Sequence, residues 1–260
     1  MAWPWKAVGA PDVSSGDAHT RLLMKMPTPV GVIDRLSSFA ASEHLLYQWA
    51  EGNFLWLALD EIVRYRRFVE VIVGRIDDER ELLNSATAAS VEGLRNYAGG
   101  PISAQQRTLD ERARDAQVPV HLDIESLYLF AKVLLDRVAI SIGVFFGQAQ
   151  SCSLASHDSW RKSLAKYAKA KGLSLPPGFE QLVESLQRDV EFRDKQLVHR
   201  QVGATRGTSW NMESRSTQIL IQPDKQSKDP VALVRAIDEY LDLVVVLFEA
   251  NREKSHLRSR

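Results

Sequence analysis

The stretch DIESLYLFAKVLLDRVAISIGVFFG, running from Asp123 to Gly147, decides the fold. Its residues Leu127, Phe130, Leu134, Val138, Ser141 and Phe145 stand three or four apart. That spacing lines up side chains on one face of an α-helix and is the spacing of a seam between helices. It predicts a long helix from near Asp123 to Gly147.

Upstream, a first long helix is predicted from near Glu43 or Asn53 to about Leu83. There Leu55, Leu59, Ile62, Val63, Tyr65, Val69, Ile72 and Val73 cover a broad apolar face, while Arg66, Arg67 and Glu70 lie largely elsewhere. Gly99-Gly100-Pro101 breaks the chain between the two helices, and the polar run from Gln105 to Gln117 is either a solvated helix or a mobile connection. Trp49 and Trp56 are expected in the core.

Downstream, a shorter basic helix spans about His157 to Lys171 and stops at Gly172, where glycine can take the left-handed terminating conformation. Its lysines Lys162, Lys166, Lys169 and Lys171 form a solvated face. Pro176-Pro177-Gly178 resets the chain. The next helix carries the stripe Phe179, Leu182, Val183, Leu186 and Val190. Asp229-Pro230 is a helix start, an N-cap followed by proline in the first turn. It leads into Leu233, Ile237, Leu241, Val244 and Phe248 at bundle spacing. Thr217 to Ile221 is β-prone, but one strand cannot make a sheet, so a minor hairpin is the most it allows. The expected fold is all-α: an antiparallel bundle of four to five long helices with extra N-terminal helices and at most a minor β-hairpin. Residues 1–29, rich in Gly, Pro, Ser and Asp, form an irregular lead-in. Residues 30–260 form one helical domain, with its core bundle at about 43–83 and 120–250.

Composition narrows the function classes. With 260 residues and 45% hydrophobic content the chain can bury a real core. Lys plus Arg number 33 and Asp plus Glu 33, so no global field draws the protein to a polyanion and any such site must be local. The one cysteine, Cys152, excludes an intramolecular disulfide and a Cys-based zinc site, and fits a buried thiol in a reducing compartment. Phe54 to Val73 and Val231 to Phe248 are interrupted by charges, and Val138 to Phe146 is too short to span a bilayer. All three read as buried helices. Met1-Ala2-Trp3-Pro4-Trp5-Lys6 leads into Gly, Pro, Asp and Ser rather than an apolar stretch, so no signal peptide is expected and a cytoplasmic protein is.

The chemically pointed segment is Arg193-Asp194-Lys195-Gln196-Leu197-Val198-His199. The stripe through Leu186 and Val190 predicts an apolar residue at 193, yet the position holds an arginine, which needs either a cleft or a compensating acid. His199 stands six residues on, roughly 240° around a straight helix, so the pair converges only if the helix ends early or a second copy brings its own pair across a symmetric interface. The run Phe192 to Arg200 resembles the Arg, polar residue, short spacer, His motif of the HEPN superfamily. The helix from Asp123 to Arg137 is also similar to one in HEPN-like proteins, and the likeness covers roughly residues 120–250. The resemblance implies an all-α homodimer with two motifs facing one cleft. In active members it implies a metal-independent endoribonuclease that needs no cofactor, some acting as toxins beside a nucleotidyltransferase antitoxin. It assigns Arg193 and His199 as the catalytic pair and Asp194 as the polar position. Five intervening residues and a chain much longer than compact HEPN toxins depart from the pattern.

That chemistry needs no metal. When a 2′-hydroxyl attacks the adjacent phosphorus, a histidine titrating near neutrality can move the proton and an arginine can hold two phosphate oxygens. Around the motif Lys195, Arg200 and Arg206 form a local basic patch able to hold a phosphate backbone, and Trp210 is placed to stack on a base. The competing readings are an arginine paired with an acid such as Asp136 and a histidine favoured by a helix C-terminus. In that case the protein is a non-enzymatic helical interaction or nucleotide-binding module, for instance an accessory of a nucleotidyltransferase or a defence system. His19, His44, His121, His157 and His256 show no metal-ligand spacing, so no metal site is expected.

Overall fold

A helix whose buried positions alternate at fours and threes over many turns must wind against a neighbour, because only then does the stripe keep facing it. Helix α2 (Ala50–Arg95) is such a helix. Leu55, Leu59, Ile62, Arg66, Val69, Val73, Ile76, Arg80, Leu83, Thr87 and Ser90 follow one another at that spacing. The computed structural model describes residues 31–46, 50–95, 99–192, 207–214, 216–220 and 230–258. Besides α2 these form α1 (Val32–Leu46), α3 (Ala104–Asp115), α4 (Gln117–Phe146), α5 (His157–Lys171), α6 (Phe179–Phe192), strands β1 (Gly207–Asn211) and β2 (Ser216–Leu220), and α7 (Pro230–Ala250). Two short 3-10 turns, Arg252–Lys254 and His256–Arg258, end the described chain.

The neighbour of α2 is α4, and the pair runs antiparallel. Arg75 Nε lies 2.9 Å from Asp123 Oδ2, the Phe68 and Phe130 rings are 5.4 Å apart, and Arg137 Nε lies 3.2 Å from Glu61 Oε2. Each contact steps seven residues back on α2 and seven forward on α4, the register of an antiparallel heptad seam. The expected seam residues Leu127, Leu134, Val138, Ser141 and Phe145 are fully buried. Aromatic packing completes the core, with Phe39 of α1, Phe145 and Phe146 of α4 and Phe248 of α7 in one cluster of rings 4.8–5.8 Å apart.

The all-α expectation holds, and the local signals place several ends. Ser156 caps α5 by accepting from the Ser159 amide, and Gly172 takes φ 63° at its far end, as predicted. The Gln105 to Gln117 run is a helix: Ser103 caps it, and buried Gln106 donates to the Ser90 carbonyl and to Asp110, which fixes α3 against α2. The long helices exceed their expected spans. α2 continues to Arg95 and α4 starts at Gln117, with Pro119 in its first turn where proline costs no hydrogen bond. The hairpin pairs Gly207 with Leu220 through Asn211 with Ser216, and Asn211 Oδ1 closes its turn by accepting from the Glu213 and Ser214 amides.

Two expectations are corrected. Arg66 does not lie off the apolar face; it is 3% exposed and grips Asp238 of α7 with two hydrogen bonds of 2.5 and 2.8 Å. An arginine at a seam position survives burial because a bidentate carboxylate meets it. Trp56 is 40% exposed rather than core, since it sits one residue past the stripe position Leu55; Trp49 lies outside the described residues. Among the described residues no helix is long and apolar enough to cross a membrane.

Candidate functional site

α6 carries the chain to the predicted motif. Phe179, Val183, Leu186 and Val190 are buried and Leu182 is half-buried, so the stripe that makes Arg193 conspicuous is real. The helix packs on α4, α5 and α7. Arg193, Asp194, Lys195, His199, Arg200 and Arg206 lie outside the described residues. Trp210 is half-buried on β1, opposite Thr217, and β2 packs against α2. Near its C-terminal end α6 brings Asp189 toward Tyr128 of α4; burial first, and that carboxylate second, hold the Tyr128 hydroxyl in its neutral form. Asp136, the acid considered as a partner for Arg193, accepts from the His157 amide at 2.8 Å and lies 3.5 Å from Lys132 Nζ. It therefore anchors the start of α5.

His157 shows no metal-ligand spacing in the sequence, and the fold gives it an unusual setting. It is 1% exposed at the first position of α5, with its ring edge-on to Tyr240 at 5.5 Å. Its Nδ1 lies 2.8 Å from Gln187 Oε1 of α6. The Gln187 amide N–H group faces Glu191, an acceptor, so its carbonyl faces the ring and His157 Nδ1 is the donor. Burial depresses the ring to about pKa 4, against the opposing pull of Gln187 and Asp136, and Lys132 and Arg161 push the same way as burial. Such a ring, neutral and closed off from solvent, ties two helices together and cannot meet a substrate. No feature of residue spacing announces it, because both partners come from distant parts of the chain.

A second group lies where α2 meets the N-terminal half of α4. Asp123 is 2% exposed, Arg75 reaches it at 2.9 Å and Glu79 Oε1 at 3.7 Å. Burial and the adjacent Asp123 raise the Glu79 carboxyl above its ordinary range, and Arg75 pulls it back. The Arg75 guanidinium between the two carboxyls offsets part of their mutual repulsion. One turn further along the stripe stands Arg80, whose Nε is buried without a hydrogen-bond partner, and Thr87 Oγ1, a heptad later, is likewise unmatched. Among the described residues no carboxylate lies in ion-pair range of Arg80. So α2 carries two arginines at equivalent seam positions, one neutralised by Asp238 and one with no acid in reach among the described residues.

Among the described residues no three His, Cys, Asp or Glu side chains are placed to hold a metal ion. Cys152 is buried and unpaired, as expected, beside a shallow depression lined by Ile140, Gly143, Val144, Gln148 and Leu154 that holds no titratable partner for it. Compared with known proteins, the chain matches no family model, no curated protein and no solved structure.

Proposed function

We propose that the chain is a HEPN-like RNA-binding protein in which Arg193 and His199 act as a metal-independent endoribonuclease pair at a cleft between two copies. Asp194 fills the polar position, and Lys195, Arg200, Arg206 and Trp210 hold the RNA. One observation carries this reading: the motif begins three residues after buried Val190, directly following an amphipathic helix seated in an all-α bundle. In the reaction the 2′-oxygen bonds to phosphorus as the bond to the 5′-oxygen breaks. His199 moves the proton and Arg193 meets the charge on the phosphoryl oxygens.

The test is cleavage of mixed RNA by purified protein in chelator, beside His199→Ala and Arg193→Ala. Loss of at least about a hundredfold in rate in each variant, with helical content unchanged, is the expected result. A wild-type protein that leaves RNA intact selects the second reading, a helical interaction module. The apolar residues exposed along α2 favour that alternative.

A further inference from the structure

The outer surface of the α2 and α4 pair carries large apolar side chains. Phe54, Leu57, Val71 and Leu82 of α2 and Leu122 of α4 are each more than half exposed, and Phe68 is 40% exposed at the centre, against Phe130 and Tyr65. Five α2 residues that stand seven apart, Phe54, Glu61, Phe68, Arg75 and Leu82, form one line along the helix. The line is about 42 Å long at 1.5 Å per residue. Read from either end its character is apolar, charged, apolar, charged, apolar, and the two charges are opposite. An antiparallel copy turned about Phe68 therefore sets Phe54 against Leu82, Glu61 against Arg75 and Phe68 against itself.

We infer that this face is the contact between two copies of the chain, related by a two-fold axis through Phe68. The inference goes beyond the nuclease reading and does not depend on it. A two-fold contact requires one patch to be complementary to itself, and an arbitrary apolar patch with charges on it is not. Here the intramolecular pairs strengthen the match. Glu61 sits beside Arg137 at 3.2 Å and Arg75 beside Asp123 at 2.9 Å. Across the axis a dyad ordered acid then base meets one ordered base then acid, which favours this register and penalises others. Glu61 and Arg75 both remain partly exposed beside their intramolecular partners, so each can serve both contacts.

Sedimentation of the full chain at micromolar concentration is expected to give twice 29.2 kDa. Phe68→Asp is expected to raise the dimer dissociation constant by about thirtyfold or more while leaving helical content unchanged. The register has its own test. Phe54→Cys and Leu82→Cys proteins, mixed and treated with a short bis-maleimide, cross-link to each other, whereas neither cross-links to itself across about 42 Å. The single native thiol, Cys152, is buried and does not compete. A monomer at every concentration, a dimer indifferent to Phe68→Asp, or self-cross-linking of either variant overturns the proposal. A monomer at every concentration removes the two-copy nuclease cleft as well, whereas a dimer indifferent to Phe68→Asp or a self-cross-linking variant overturns this contact alone.

Discussion

At the scale of single residues, the two buried polar devices predict opposite kinds of response. Arg66 and Asp238 share two hydrogen bonds in the core. Removing one partner leaves an uncompensated buried charge, so Arg66→Met or Asp238→Leu alone should cost about 3–5 kcal/mol, and the double variant far less than their sum. Urea denaturation of the three variants measures this. His157 responds to pH instead. Its folded pKa of about 4 lies below the 6.5 of an unfolded chain, so between those values the unfolded state binds more protons. The His157 contribution is complete above pH 6.5 and is lost as pH falls toward 4, at most about 3 kcal/mol. In His157→Leu the corresponding part of the slope of unfolding free energy against pH should vanish.

Elements are set by their ends as well as by their faces. α5 is the clearest case: Ser156 accepts from the Ser159 amide at one end, and Gly172 at φ 63° closes the other. Nothing crowds Gly172, so Gly172→Ala meets only the backbone cost of the left-handed region, about 1 kcal/mol, and Gly172→Asn costs less. Ser156→Ala should also cost about 1 kcal/mol. Thermal unfolding of the variants checks both values, and since the two sites are far apart their effects should add.

Across the whole molecule, the last described residues tie distant helices together. Asn251 is fully buried, accepts from the Ser174 amide at 2.8 Å, and donates to the carbonyls of Ser174 and Leu247 at 3.0 and 2.9 Å. Arg252 lies 2.6 Å from buried Glu43 of α1, donates to Ser42 and covers the Phe39 ring. Ser255 donates to the Phe145 carbonyl of α4. Asn251→Ala orphans the Ser174 amide as well as losing its own bonds, which predicts about 2–4 kcal/mol in denaturant unfolding. Amide exchange should then speed up in both α5 and α7, since the lost bonds join the segment after one to the end of the other.

Much of the fold was legible because it is written in local terms. The threes and fours from Leu127 to Phe145, the stop at Gly172, the reset at Pro176-Pro177-Gly178 and the start at Pro230 each depend on residues within a turn or two of one another. The motif from Arg193 to His199 was equally legible as a pattern, and the proposed nuclease reading rests on that pattern. Burial, by contrast, is shared between distant segments. The fours and threes on α2 ran through Arg66, but only Asp238, brought 172 positions along the chain, explains how a charge can stand there. Gln187 does the same for His157, and α4 turns the line from Phe54 to Leu82 from part of a helix surface into the rim of a seam. Sequence alone determined which segments coil and where α5 stops, because those energies are local, while α2 and α4 run past their local signals. Only the tertiary structure decided which polar groups are buried and which apolar ones are left bare, because desolvation depends on what the rest of the chain places alongside.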